Sequence, residues 1–85
     1  MQDERSQQVT ERFFAAIMQL KADGKIAGKQ PLCHELGINR RHLWILENNK
    51  ASDILKLRWL TDLCTKYHIS ADWLLTGRGE IYKYK

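Results

Sequence analysis

An all-α domain of five helices is what this sequence predicts, and three observations carry the prediction. Apolar residues recur at spacings of three and four along the chain, which marks one face of a helix. No stretch alternates apolar and polar residues for long enough to make a strand. Glycine, asparagine and serine fall between the periodic segments, where helices start and stop. A chain of 85 residues buries one core, so residues 1–85 are read as a single domain.

Val9, Phe13, Ala16, Ile17 and Leu20 form the first apolar stripe and predict a helix over 6–22. Asp3 or Ser6 can cap its start, and Gly24 can stop it. Phe14 and Met18 make a second i, i+4 pair on the flank of that stripe, as peripheral core or as a dimer contact. Residues 23–28 read as a loop. Pro31 then suits the first turn of a second helix, where a missing N–H costs nothing. Gly37 ends that helix, and Asn39 is a good N-cap for a third over 40–48.

Residues 48–52 are a polar connection. Ser52 or Asp53 can cap a fourth helix that runs to Tyr67. Its apolar residues run from Ile54, Leu55 and Leu57 through Trp59, Leu60 and Leu63 to Cys64 and Tyr67, and they cover more than half the circumference. Such a helix is expected to be central and packed on several sides. Ser70 caps a short fifth helix over 71–75, whose Trp73, Leu74 and Leu75 are expected to close the core. Gly77 and Gly79 end it, and residues 80–85 read as a polar tail.

The net charge of +4 favours an anionic partner. No apolar run reaches the length a membrane span requires, and the polar start of the chain lacks a signal core. The expectation is a cytoplasmic protein with no membrane partner, in which Cys33 and Cys64 are reduced thiols.

The informative segment is 29–48, KQPLCHELGINRRHLWILEN. Two helices joined by a tight turn need a small residue where they cross, a residue that tolerates positive φ in the turn, and apolar residues to hold them together. Cys33, Gly37, and the set Leu32, Leu36, Ile38, Leu43 and Leu46 meet these three needs. This spacing resembles the helix-turn-helix of the XRE/Cro family, the lambdoid phage repressors and their relatives. Glu47-Asn48-Asn49-Lys50 is similar to the Glu-Asn-Gly-Lys that often follows the recognition helix there. Residues 69–77, ISADWLLTG, are similar to that family's closing Val-Ser-x-Asp-Trp-Leu-Leu-x-Gly. The resemblance covers about residues 26–80.

What the resemblance implies is a lambda-repressor-like five-helix bundle that binds double-stranded DNA as a homodimer, with its second motif helix in the major groove. Arg40, Arg41 and Ile45 match the family's base-contacting positions, and Trp44 shares the outward face. An arginine bonded bidentately to guanine supplies about 1–3 kcal/mol of discrimination; the alternative is that both arginines contact only phosphate. Lys29 and Gln30 at the start of the second helix, Asn39 and His42 at the start of the third, and Asn48, Asn49, Lys50 and Ser52 after it are candidates for phosphate.

Three features depart from the family. Ala22 stands where the compact repressors carry an arginine that pairs with the glutamate after the recognition helix, so Glu47 is expected to be held by a lysine or by backbone instead. Asn49 replaces a glycine, and asparagine tolerates the left-handed conformation. The proline usual before the fourth helix is absent.

Cys64 and His68 share a helix face, but neither Cys-x-x-Cys nor His-x-x-x-His spacing is present, so no metal or other cofactor is expected. No nucleophile, base and orienting group cluster along the chain, which argues against an enzyme. The competing reading is an antitoxin or adaptor on the same fold, with Trp44 and Phe14 as anchors for a toxin or regulator.

Overall fold

The computed structural model describes residues 4–49 and 55–83. Five helices follow one another: α1 Glu4–Ala22, α2 Lys29–Leu36, α3 Arg40–Asn48, α4 Leu57–Tyr67 and α5 Ala71–Thr76. The described residues contain no strand, only one isolated antiparallel bridge between Ile69 and Tyr82. Among them no helix is long and apolar enough to cross a membrane.

The helix ends are set by local chemistry. Asn39 and Ser70 both adopt extended backbone, and their side chains accept from the amides of Arg41 and Trp73. Each thereby satisfies one of the amides a helix start leaves orphaned. Gly37 and Gly77 close α2 and α5 in the left-handed conformation, with φ of 67° and 80°. Pro31 falls in the first turn of α2, as expected.

The apolar stripe of α1 buries Phe13, Ala16, Ile17 and Leu20. Against it lie Leu32, Cys33 and Leu36 of α2, Leu43 and Leu46 of α3, Trp59 and Leu63 of α4, and Leu74 of α5. Phe13 is central: it stacks on Trp59 at 6.2 Å between ring centroids and meets Phe14 edge to face at 5.2 Å.

Phe14 is only 7% exposed. That removes it as a docking anchor or dimer contact and leaves it as peripheral core, whereas its helical partner Met18 is 69% exposed. Residues i and i+4 share a flank but differ by about 40° of rotation, and Met18 is the one further from the buried stripe.

Four further expectations are corrected. Helix α1 already includes Glu4, so Ser6 lies inside it and is not its cap, and the alternative cap Asp3 lies outside the described residues. Helix α4 begins at Leu57, with extended Lys56 ahead of it and no side-chain cap. The caps expected at Ser52 and Asp53 lie outside the described residues, and Leu55 belongs to the connection. The shorter helix buries Trp59, Leu60 and Leu63, while Leu57 in its first turn is 74% exposed. In α5 only Leu74 is buried; Trp73 is half-buried and Leu75 exposed. Three consecutive residues sweep about 200° of a helix, more than one packed side can cover.

The fourth correction concerns the tail. The Ser70 amide donates to the Ile81 carbonyl at 2.8 Å, and the Lys83 amide to the His68 carbonyl at 2.7 Å. Ile81 and Tyr82 pack on the core, so this segment is a strap rather than a solvated polar end. The Tyr82 hydroxyl reaches on to the Asp23 carboxylate in the α1–α2 loop, and Lys25 lies 4.4 Å from the Tyr82 ring centre.

Candidate nucleic-acid interface

The turn between α2 and α3 is three residues, Gly37, Ile38 and Asn39. The Ile38 amide donates to the Cys33 carbonyl at 2.8 Å, and Ile38 is buried, which pins the turn to the core. Arg58 of α4 braces it from outside, donating to the carbonyls of Leu36 at 3.4 Å and Gly37 at 3.2 Å. A cation at the carbonyl end of a helix also meets the negative end of its dipole.

Helix α3 leaves this turn with Leu43 and Leu46 buried, which sets its rotation. Arg40, Arg41, His42, Trp44 and Asn48 are then exposed, as the sequence predicts. Trp44 shows 63% of its surface to solvent. Neither the Arg40 nor the Arg41 guanidinium makes a hydrogen bond or ion pair among the described residues. Ile45 departs from expectation: it is half-buried, on the flank of the outward face rather than at its centre.

An open groove of about 510 Å³ runs between α2 and α3. Lys29, Gln30, Arg40, Arg41, Trp44 and Glu47 form its walls, with Cys33 beneath. Burial pushes the Cys33 thiol above its ordinary pKa, against the opposing charge of Arg40. Neither α2 nor α3 carries an acidic residue in its own first turn.

The other predicted contacts divide. Gln30 and His42 are exposed beside this face. The Asn39 side-chain oxygen Oδ1 accepts from the Arg41 amide at 2.8 Å. Asn48 uses its side-chain amide on the Trp44 carbonyl at 2.8 Å. Asn49 caps α3 with φ at −146°, so the left-handed conformation expected there is not used. Lys50 and Ser52 lie outside the described residues.

Lys29 forms an ion pair with Glu47, which answers what holds that glutamate. Arg12 takes no part in it: its guanidinium donates to the carbonyls of Leu74 at 2.8 Å and Leu75 at 3.0 Å, closing the end of α5. Two features of the site escaped the sequence. One is the Arg58 brace, whose partners lie 21 and 22 residues away. The other is a second groove, lined by Ile17, Met18 and Lys21, which shares Lys29 and Glu47 with the first. No local pattern marks either feature. No protein-family model, curated protein or solved structure matches the chain.

Proposed function

We propose that this protein binds double-stranded DNA and reads its sequence, acting as a transcriptional regulator of the repressor type. In this reading α2, the turn and α3 are a helix-turn-helix, and α3 enters the major groove. The observation that carries it is the outer face of α3, where Arg40, Arg41 and Trp44 stand exposed on a helix whose opposite face is locked into the core. A rigid helix presenting two uncommitted guanidinium groups suits bidentate recognition of guanine. Trp44 covers a sugar edge or a base-pair step, and Gln30 and the start of α2 meet the adjoining phosphate. Two copies on a two-fold operator would place half-sites about one helical turn apart.

The exposure of Trp44 also favours a second reading, an antitoxin or adaptor whose partner is a protein. Indole rings anchor interfaces well. Selection of bound duplexes from a random pool at near-physiological salt separates the two. A recovered motif that Arg40→Ala/Arg41→Ala loses supports the DNA reading, and two-fold symmetry in it supports the dimer. No enrichment at any salt rejects the DNA reading and turns the search to protein partners. Salt is a second discriminator, because phosphate contacts weaken steeply with it and aromatic docking does not.

A further inference from the structure

Lys29 opens α2 and Glu47 lies in the last turn of α3, 18 residues later. Their ion pair bridges the two helices on the ridge between the groove that carries Arg40, Arg41 and Trp44 and the groove lined by Met18 and Lys21. Both side chains are partly exposed, at 46% and 35%. A pair that wet contributes at most about 1 kcal/mol to folding after solvent screening. The ion pair with Lys29 is therefore a weak source of stability in itself. Among the described residues Glu47 is also the one acidic side chain lining the Arg40–Arg41 groove.

We infer that Glu47 is a specificity-determining residue: by holding Lys29 it subtracts from sequence-independent attraction to phosphate and leaves discrimination to Arg40 and Arg41. The inference rests on the DNA reading above. Non-specific complexes are held almost wholly by cations on phosphates, in many registers, and each neutralised phosphate adds about 0.9 to the slope of log K against log salt. An ammonium already paired with a carboxylate adds less, and the carboxylate itself repels the DNA backbone. In the specific complex Arg40 and Arg41 fix the register, and Lys29 stays on Glu47. The repulsive charge thus weakens the wrong complexes more than the right one, which is how specificity is gained without a new attractive contact.

The test compares the wild-type protein, Glu47→Gln and Lys29→Met/Glu47→Gln on two duplexes of equal length, the selected sequence and a scrambled one, across a salt series. Glu47→Gln is expected to bind the scrambled duplex several-fold tighter, with a slope steeper by about 0.9. Its gain on the selected duplex should be clearly smaller, so the ratio between the two falls. The double variant should return the scrambled duplex to wild-type affinity. Thermal melting of each variant confirms that folding is retained. Weaker binding of both duplexes by Glu47→Gln, equal gains on both, no change, or a gain that survives loss of Lys29 each overturns the inference and leaves the DNA reading standing. A wild-type protein that binds no duplex overturns both.

Discussion

Arg40, Arg41 and Trp44 are exposed neighbours on one helix, but the roles proposed for them differ and so do their tests. Arg41→Ala should flatten sequence preference, with about 1–3 kcal/mol lost on the selected duplex and little on a scrambled one. Equal losses on both would reassign Arg41 to phosphate. A second residue-scale prediction concerns Asp23. The Tyr82 hydroxyl, first, and the Gln19 side-chain amide, second, hold its carboxyl below the ordinary value of 3.8, with Lys25 adding a little. A depressed carboxylate contributes stability above its unfolded pKa and loses it as pH falls through its folded pKa. Wild type should therefore melt higher than Asp23→Asn at about pH 6, and the gap should close as pH drops below about 3.8. A gap that does not change with pH would show that the carboxylate charge is irrelevant to the strap.

At the scale of the element, the turn that aims α3 depends on two residues with different physical duties. Gly37 has a φ of 67°, and a Cβ placed there would meet nothing closer than the Arg58 guanidinium at 3.8 Å. Space is available, so the penalty for Gly37→Ala is conformational, about 1–2 kcal/mol. Asn39→Ala removes the acceptor for the Arg41 amide and should cost about 1 kcal/mol. Urea unfolding measures both. A neutral Gly37→Ala would mean that the turn relaxes out of the left-handed conformation. Helix α3 also shows how far local reading reaches: its cap, its ends and its buried pair Leu43 and Leu46 were all legible in residues 37–48. Its half-buried Ile45 was not, because the depth of a flank position depends on the neighbouring helices.

For the whole molecule, one core serves every element, so damage anywhere in it should reach the face that carries Arg40, Arg41 and Trp44. Leu46 is fully buried, and Leu46→Ala should cost about 2–5 kcal/mol. That is a large share of what a domain this small has. Thermal melting should show one cooperative transition, shifted down, and retained stability would mean that the site collapses around the cavity. Helix α1 packs on α5, α5 packs on α4, and the strap after α5 returns to the α1–α2 loop. Deleting residues 80–85 removes the bonds to His68 and Ser70 and uncovers Ile69, so it should lower the melting temperature. An unchanged melting temperature would show that the strap adds nothing to the fold.

Periodicity, caps and turn chemistry act between residues at most about four apart, and the sequence alone determined what depends on them. Five helices, the stops at Gly37 and Gly77, the caps at Asn39 and Ser70, and the outward set Arg40, Arg41 and Trp44 follow from spacing. Tertiary structure decided whatever depends on where one helix lies against another. It buried Phe14, left Leu57 and Leu75 exposed, and turned the tail into a strap. It gave Glu47 to Lys29 and sent Arg12 to α5, across 62 residues of sequence. A charged side chain pairs with whatever partner the packed helices bring within about 4 Å, and no spacing along the chain encodes that distance.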